Sequence, residues 1–417
     1  MKILLIGGGG REHAVACKLA ENPEVEKIYC APGNGGTASM DICENIAVND
    51  IEGLADFAAR KQVDFTFVGP EDLLVRGIAD RFRELHLPIF GPTGKGAILE
   101  GSKAYAKEFM QKYGVKTAAY RRFDNSADTL AYLDGITDAD YPIVIKADGL
   151  ALGKGVIICE DAATARKTAV NMLDKGAFAG AGKTIVIEEF LTGKEVSILT
   201  FCDGKTILPL LSAKDHKRIF DGDRGENTGG MGAISPNPYA TQAVIDAFNR
   251  DILKPTLAGI QAENMDFIGV IFFGLMVNEK GVYLLEYNVR LGDPETQAIL
   301  PLMKSDLVEL TQAAMEKRLD RFAVEWREGC STCVTMVSGG YPGGYQKGYP
   351  IEGIGEADAI VYVAGAELEG STLKTSGGRV LNVVALGDTP EASWEKAYSE
   401  IGKISFKDAF YRRDIGK

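Results

Sequence analysis

The sequence predicts an α/β protein of several domains, the first of which is built on a parallel sheet, and two observations support this. Across residues 1–102, short apolar runs such as KILLIG, KIYCAP and VDFTFV alternate with amphipathic stretches such as REHAVACKLAEN and IEGLADFAARKQ. Strands separated by helical patterns indicate βαβ units, in which ligands bind at the carboxyl ends of the strands. The chain of 417 residues is also long enough for about three domains.

Composition excludes several classes of protein. Hydrophobic residues make up 46% of the chain and charged residues 25%, which is typical of a soluble globular protein. The net charge of −12 argues against a nonspecific nucleic-acid binder, and no apolar stretch is long enough for a membrane span. The N-terminus lacks the apolar core of a signal peptide, and the seven cysteines show no disulfide rhythm. We therefore expect a cytoplasmic protein without nucleic-acid or membrane partners.

The loop that follows the first predicted strand contains four consecutive glycines. A GxGxxG dinucleotide fingerprint starting in this loop would need its third glycine at Glu12 or His13, and no acidic residue ends the second strand. The loop instead predicts close approach of the backbone to a phosphate or sugar at a helix N-terminus. Gly8, Gly9 and Gly10 are the candidate contacts, and a tight turn without a ligand is the alternative.

Residues 142–159 read as a strand, a glycine-rich loop and a second strand, PIVIKADGLALGKGVIIC. The first strand ends near Lys146, and the loop contains Gly149, Gly153, Lys154 and Gly155. Such a hairpin tip can fold over phosphates with backbone N–H groups and a point charge. A plain hairpin turn is the alternative, but it does not account for two lysines and so long a loop.

Two further segments carry polar groups suited to ligand binding. Residues 184–191, TIVIEEFL, form a predicted strand, after which Glu195 could hold ribose hydroxyls. Residues 214–236 are polar and rich in glycine, and a loop of this length inside a compact domain is usually functional or disordered. Asp215 and Lys217 are its candidate substrate contacts.

The segment LEYNVRLGDPETQ, residues 285–297, carries the predicted metal site. A period of two places Glu286 and Asn288 on one face of a strand, with Arg290 on the same parity. Carboxylate and amide oxygens are hard ligands that suit Mg²⁺ bound to nucleotide phosphates. A half-buried strand with a polar outer face is the alternative. The preceding buried strand, FIGVIFFGLMVN, is expected to form a hairpin with the strand that carries Glu286 and Asn288.

The remaining segments are less informative. Residues 93–114 and 241–263 are predicted helices, and residues 326–417 read as a small α+β unit with a helix over residues 390–401. The CxxC at residues 330–333 has no second pair with which to bind zinc, so we expect it to be structural.

The motifs GGGGREHA, KADGLALGKGV, EEFLTGKEVS, ENTGGMGAISP and LEYNVRLGDPETQ occur in this order across essentially the whole chain. Together they resemble the glycinamide ribonucleotide synthetase family of ATP-grasp enzymes. The resemblance implies an N-terminal substrate-binding domain (residues 1–102), an ATP-grasp domain (103–325) with a mobile lid near 116–193, and a C-terminal domain (326–417). It also implies ATP, with Mg²⁺ or Mn²⁺, as cofactors.

The resemblance extends the set of candidate site residues. It implies that the nucleotide contacts Lys103, Lys146, the loop of residues 149–155, Glu188, Phe190, Leu191 and Glu195. It implies a metal on Glu286 and Asn288, and sugar-phosphate or glycine contacts from residues 7–10, Glu71, Asp215, Lys217, Arg290 and Asp293. Among these we assign catalytic roles to Lys146, Arg290 and Asp215. Many relatives supply another metal carboxylate from the preceding strand, which has no acid here.

The implied reaction joins glycine to 5-phosphoribosylamine through glycyl phosphate in purine biosynthesis, with transient contact to the upstream amidotransferase. No nucleophilic side chain is required, which fits the lack of a Ser-His or Cys-His pattern. Another ATP-grasp carboxylate–amine ligase or carboxylase is the alternative within the class. A nicotinamide-dependent dehydrogenase and a noncatalytic nucleotide-binding protein are alternatives from other classes.

Overall fold

A five-stranded parallel sheet organises the N-terminal part of the chain, as the sequence predicts. The computed structural model describes residues 1–150, 155–175 and 183–417. The strands are β1 (Lys2–Gly7), β2 (Lys27–Pro32), β3 (Cys43–Asn45), β4 (Phe65–Val68) and β5 (Ile89–Phe90), in the order β3-β2-β1-β4-β5. The helices are α1 (Gly10–Leu19), α2 (Gly35–Ala38), α3 (Ile51–Lys61), α4 (Glu71–Val75), α5 (Ile78–Glu84) and α6 (Gly94–Gly101). Because β1 and β4 are parallel neighbours, the glycine loop and Glu71 lie at the same sheet edge.

The predicted helix over residues 93–114 is in fact two helices, α6 and α7 (Lys103–Tyr113). Ser102 separates them because its backbone is extended, with φ −137° and ψ 115°. Its side-chain oxygen accepts a hydrogen bond from the backbone N–H of Tyr105, which caps the start of α7. The break sets the direction in which α7 carries Lys103.

A separate four-stranded antiparallel sheet follows, in the order β6-β9-β7-β8. Its strands are β6 (Tyr120–Phe123), β7 (Ile143–Ala147), β8 (Val156–Cys159) and β9 (Ile185–Glu189), and its helices are α8 (Ser126–Leu133) and α9 (Ala162–Leu173). The unit has its own small core, which includes Leu133, Ile145 and Ala169. The predicted pairing of residues 142–147 with residues 155–159 as a hairpin is confirmed by the antiparallel β7–β8 register.

An eight-stranded sheet spans the rest of the molecule. Its strands are β10 (Lys194–Cys202), β11 (Ile207–Asp215), β14 (Gly232–Ser235), β15 (Gly269–Asn278), β16 (Gly281–Asn288), β17 (Cys330–Val337), β18 (Ile360–Val363) and β21 (Arg379–Gly387), in the order β16-β15-β10-β11-β14-β17-β21-β18. Two short hairpins flank it, β12 (Arg218–Phe220) with β13 (Arg224–Asn227), and β19 (Ala366–Glu369) with β20 (Thr372–Thr375). The prediction of an irregular loop over residues 214–236 was therefore wrong, because this segment contains a hairpin and a strand of the large sheet.

The remaining helices are α10 (Gln242–Phe248), α11 (Lys254–Ala262), α12 (Glu295–Ile299), α13 (Leu307–Met315) and α14 (Pro390–Ile401). The predicted helix over residues 241–263 is confirmed, with a wider π turn at Asn249–Leu253 between α10 and α11. The predicted hairpin of β15 with β16 is also confirmed, and it presents Glu286 and Asn288 at one end. In the part of the chain that the structure describes, no helix has both the length and the apolar character to cross a membrane.

Candidate active site

Glu286 on β16 lies among cationic side chains from three other parts of the chain. Burial would raise the pKa of this carboxyl, but the ammonium groups of Lys146 and Lys217 hold the pKa below its ordinary value. Lys103 and Arg290 act in the same direction. Glu286 is therefore ionised. Lys146, Lys217 and Arg290 also pair with other carboxylates, whereas Lys103 contacts a backbone carbonyl oxygen. The site thus places several cationic groups where a further anionic group could contact them.

Asn288 lies two residues further along the same strand and is almost fully buried. Its Oδ1 accepts a hydrogen bond of 3.1 Å from Nη2 of Arg290, which leaves one lone pair of this oxygen for another partner. An ionised carboxylate and an amide oxygen on one strand face form a donor set of hard oxygens. This set fits a magnesium-type cation that takes its remaining ligands from phosphates and water.

Lys146 at the end of β7 points toward β16, where its Nζ lies 3.4 Å from the carbonyl oxygen of Leu285. The same Nζ is 3.0 Å from Oε1 of Glu188 on β9. The hairpin after β7 is anchored by Asp148, whose Oδ1 accepts hydrogen bonds from Ser102 Oγ and from the backbone N–H of Ala104. These contacts fasten the start of the glycine-rich loop to the first turn of α7.

Lys103, the first residue of α7, donates a hydrogen bond of 2.9 Å from Nζ to the carbonyl oxygen of Gly149. The structure therefore brings Lys103, Lys146 and the start of the predicted phosphate loop together, and Gly155 closes the loop next to β8. The other two loop candidates, Gly153 and Lys154, lie outside the described residues.

Phe190 and Leu191 lie in the segment that joins β9 to β10. Phe190 is 36% exposed, which is unusual for a large apolar side chain and leaves its ring open to a ligand. Glu195 follows at the start of β10 and pairs with Lys217, with 2.7 Å between Oε2 and Nζ. Lys146 and Glu188 are in contact, and Phe190, Leu191 and Glu195 follow Glu188 along the chain.

Arg290 joins this region to the N-terminal sheet. Its guanidinium lies 3.2 Å from Oε2 of Glu71 and 3.3 Å from Oε1 of Glu100 on α6. Burial raises the pKa of Glu100 to about 7, although Arg290 opposes the shift. For Glu71, the charges of Arg290 and Arg11 outweigh burial and leave the pKa below its ordinary value.

Asp293 lies next to the glycine loop at the carboxyl end of β1. A methyl group built on Gly9 would be 3.3 Å from Oδ2 of Asp293, so backbone and carboxylate are close. Asp293 accepts a hydrogen bond of 2.7 Å from Gln297, and its Oδ2 is 3.3 Å from Nη2 of Arg379 on β21. The backbone N–H of Gly9 donates to Oε2 of Glu12 at 2.7 Å.

Asp215, at the end of β11, has an Oδ1 that is shielded from solvent and receives no hydrogen bond within the described ranges. Burial raises its pKa, and the nearby carboxylate of Glu295 raises it further. Lys217 opposes the shift, and its own pKa is raised chiefly by the charge of Glu195. Gly230 covers Asp215 closely, since a methyl group built there would lie 2.9 Å from Oδ1. Asp215 can thus accept a hydrogen bond from a cationic or protonated ligand.

The chain matches three family models, described as phosphoribosylglycinamide synthetase N domain (residues 1–100), ATP-grasp (A) domain (101–296) and C domain (331–417). The chain belongs to the phosphoribosylglycinamide synthetase family. The family resemblance and the α/β fold class predicted from the sequence are both confirmed. Membership decides against the dehydrogenase and the noncatalytic alternatives.

Relatives of the phosphoribosylglycinamide synthetase family match along the full chain. A phosphoribosylamine–glycine ligase from Clostridium acetobutylicum is 58% identical over 417 residues, which cover 100% of both sequences. A crystal structure of phosphoribosylamine–glycine ligase from Thermotoga maritima is 32% identical, with a TM-score of 0.88 and 100% coverage of both chains. The biotin carboxylase domain of a Hydrogenobacter thermophilus 2-oxoglutarate carboxylase shares the fold alone, at 17% identity and a TM-score of 0.73, with 98% of this chain and 91% of that chain covered.

Several charged residues of this synthetase site were missed by sequence reasoning. Glu100 and Arg379 sit in ordinary helix and strand patterns, and no local signal marks them. Asp148 and Glu12 could have been suspected, because each adjoins a glycine-rich loop in the sequence. Glu295 belongs to the same turn as Asp293, a turn whose polar groups the sequence predicts to lie beside the metal.

Proposed function

We propose that this chain catalyses the ATP-dependent ligation of glycine to 5-phosphoribosylamine, giving glycinamide ribonucleotide, ADP and phosphate in purine biosynthesis. The observation that carries the proposal is 58% identity over the full length of a phosphoribosylamine–glycine ligase. The arrangement around Glu286 agrees with this activity, because lysines from α7, β7 and the segment after β11 surround one carboxylate.

The chemistry needs activation of a carboxylate, which is a poor electrophile near neutral pH. Attack of the glycine carboxylate on the γ-phosphate of ATP forms glycyl phosphate and releases ADP. The amine of 5-phosphoribosylamine then attacks the glycyl carbonyl carbon, the C–O bond to phosphate breaks, and an amide forms. The side chains contribute by positioning the substrates and stabilising developing charge.

For the nucleotide, we propose that Lys103 and Lys146 bind the ATP phosphates together with backbone N–H groups of Gly149 and Gly155. The described contacts support this assignment, since Lys103 and Lys146 flank the loop. Gly153 and Lys154 extend the proposal by their position in the sequence. Phe190, Leu191 and Glu195 form the proposed adenine and ribose side of the site, and the buried Glu188 contributes to nucleotide binding through its contact with Lys146.

For the metal, we propose that Glu286 and Asn288 hold a divalent cation, Mg²⁺ or Mn²⁺. When bound, such a cation neutralises charge on the transferring phosphoryl group. Glu286 meets the requirement for an ionised oxygen ligand, because lysine charges keep its pKa low. Arg290 orients the Asn288 amide through its hydrogen bond to Oδ1.

For glycine and the sugar phosphate, we propose two neighbouring groups of contacts. Asp215 and Lys217 lie on the side of β11, and one oxygen of Asp215, which receives no hydrogen bond from the described residues, is suited to the glycine ammonium. The backbone of Gly8, Gly9 and Gly10, with Glu71 and Asp293, lines the edge of the N-terminal sheet where the sugar phosphate would bind. Arg290 contacts both Glu71 and the proposed metal ligand Asn288, so we assign it a catalytic role with Lys146 and Asp215.

The proposal includes the domain arrangement of residues 1–102, 103–325 and 326–417. Residues 116–193 would act as the mobile lid that excludes water from glycyl phosphate. All seven cysteines are free thiols, which favours the cytoplasm as the compartment. Transient contact with the upstream amidotransferase stays a prediction.

The test is ADP release from MgATP with glycine, with and without phosphoribosylamine generated from ribose 5-phosphate and ammonia. We expect sustained turnover only when glycine and the sugar amine are both present. A panel of other carboxylates and bicarbonate serves as the comparison. Turnover with one of those compounds and not with glycine would overturn the substrate assignment.

A further inference from the structure

A buried ion network joins α7 to the four-stranded sheet. Nζ of Lys107 on α7 lies 3.0 Å from Oε2 of Glu188, and Nζ of Lys146 lies 3.0 Å from Oε1 of the same carboxylate. The side chains of Lys107 and Glu188 are only 3% and 2% exposed, and that of Lys146 is 9% exposed. Neither the glycine-rich motifs nor the metal residues include Lys107.

Further contacts fix the position of Lys107. Its Nζ donates a hydrogen bond of 2.7 Å to Oγ1 of Thr117, which in turn donates at 2.6 Å to the carbonyl oxygen of Leu284 on β16. The network thus connects α7, β7, β9 and the strand that carries Glu286. In contrast, Oε1 of Glu188 accepts no well-directed hydrogen bond within the described residues, so it holds Lys146 mainly by coulombic attraction.

The charge balance of this network distinguishes Lys107 from an ordinary buried residue. If Lys146 were the one lysine paired with Glu188, the pair would be neutral, and Glu188 would neutralise most of the positive charge of Lys146. Lys107, Lys146 and Glu188 together carry a net charge of +1 at a site already proposed to receive phosphates, whereas the nearby carboxylate of Glu286 is assigned to the metal cation. Because burial weakens screening by water, the difference acts strongly on a nearby anion.

We propose that Lys107 is a positioning residue for the nucleotide, which acts through Glu188 to fix Lys146 and to leave one positive charge available to ATP. The proposal rests on the assignment of Lys146 as a nucleotide contact. It assigns Lys107 no direct contact with the substrate. Its role differs from simple helix anchoring, because anchoring does not depend on the charge of the side chain.

Protonation of Lys107 gives a second readout. Burial lowers its pKa to about 8, and Lys146 on β7 adds repulsion, while Glu188 on β9 and Glu286 on β16 oppose the shift. Below this pH the network carries its net positive charge. Above it, loss of one proton makes the network neutral, so nucleotide affinity should fall as the pH rises through about 8.

The experiment measures MgADP binding by isothermal titration calorimetry at pH 7 and pH 9. Three variants of the full chain are compared with the wild type: Lys107→Met, Lys107→Arg and, as a matched control, Lys112→Met. Lys112 lies on the same helix, but its side chain is 63% exposed and pairs with Glu263 at the surface. Thermal unfolding of each variant separates folding defects from binding defects.

We expect Lys107→Met to weaken MgADP binding at pH 7 by roughly 10- to 100-fold, the size of one charge-assisted contact. Its affinity should change less between pH 7 and pH 9 than that of the wild type. Lys107→Arg should restore most of the affinity and remove the loss at pH 9, because arginine stays protonated. Lys112→Met should behave like the wild type.

Wild-type affinity in folded Lys107→Met would overturn the proposal. If Lys107→Met does not fold, Lys107→Arg decides: a loss of affinity at pH 9 equal to that of the wild type would also overturn it. Turnover is measured separately with wild-type protein, glycine and the sugar amine. Absence of that turnover with intact MgADP binding would remove the proposed ligase function and leave the role of Lys107 standing.

Discussion

Arg290 and Glu71 form an ion pair of 3.2 Å although 219 positions separate them in the chain. The pair connects the segment after β16 with the start of α4, at the edge of the N-terminal sheet. Glu100 on α6 binds the same guanidinium and also accepts a hydrogen bond of 2.6 Å from the backbone N–H of Val289. One arginine therefore compensates two poorly solvated carboxylates.

Replacement of Arg290 tests this relationship. In Arg290→Met both Glu71 and Glu100 lose this guanidinium, although Arg11 still acts on Glu71 and the Val289 N–H still donates to Glu100, and we expect the free energy of unfolding to fall by about 3 kcal/mol. Urea unfolding at pH 7 measures the loss. Arg250→Met is the control, because Arg250 is exposed and pairs with its neighbour Asp251 at the surface. Equal stability of the two variants would show that the buried cluster contributes nothing specific.

Glu286→Ala removes the ionised member of the proposed metal pair. We expect kcat to fall by about 100-fold or more, because charge stabilisation at the phosphoryl group is lost. Steady-state ADP release over a range of Mg²⁺ concentrations measures the effect, and the variant should need more Mg²⁺ for half-maximal rate. Glu279→Ala, in the exposed turn between β15 and β16, serves as the control. A kcat for Glu286→Ala within a few-fold of the wild type would remove Glu286 from the site.

Gly10→Ala tests the close packing at the start of α1. A methyl group on Gly10 would collide with Oδ1 of Asn382 on β21 and lie 2.8 Å from Nε2 of Gln297. We expect a loss of about 1–3 kcal/mol, as found for overpacked sites, measured as a lower Tm. Gly344→Ala is the matched control because the space around Gly344 is open. An unchanged Tm for Gly10→Ala would mean that these polar side chains move aside at little cost.

His13 predicts a pH dependence of stability. Burial lowers its pKa to about 4, and its Nδ1 accepts a hydrogen bond of 2.8 Å from the backbone N–H of Val363. Between pH 6.5 and about 4 the unfolded chain binds a proton that the folded protein does not, so stability falls as the pH is lowered through this window. Protonation of His13 in the unfolded chain lowers the free energy of unfolding by roughly 3 kcal/mol at most.

Comparison with His13→Asn isolates this contribution from other acid-titrating groups. Asparagine keeps an acceptor oxygen but does not titrate in this range, so the variant should lose less stability between pH 6.5 and pH 4.5. Urea unfolding at several pH values gives the slope of the free energy of unfolding against pH for the wild type and for the variant. Parallel slopes would exclude protonation of His13 as a source of acid sensitivity.

The N-terminal sheet could be predicted from the sequence because its strands are continuous apolar runs between amphipathic helices. The hairpin of β15 with β16 and helix α14 were predictable for similar reasons. Residues 214–236 were not, since β13 is fully exposed and β14 has only four residues, too few for a clear period. The break at Ser102 was missed although Gly101 followed by Ser102 is a helix-stop and N-cap signal, because the helical pattern continues on both sides.

Site residues in glycine-rich loops or at strand ends were visible in the sequence, as Lys146 and Glu286 show. Lys107 and Glu100 were not, because a charged residue in a helix usually faces solvent and nothing local distinguishes a buried one. Arg379 reaches Asp293 only through the pairing of β21 in the large sheet. Recognition of such residues requires long-range packing, which periodicity does not report.

The position of β14 between β11 and β17 has a practical consequence for anyone who divides this chain. A cut near residue 326 leaves one fragment with an unpaired edge at β14 and the other with an unpaired edge at β17, and such edges invite aggregation. Each fragment contains the strand that pairs with the exposed edge of the other. We therefore expect fragments 1–325 and 326–417 to aggregate when produced separately and to associate into a folded complex when produced together in one cell.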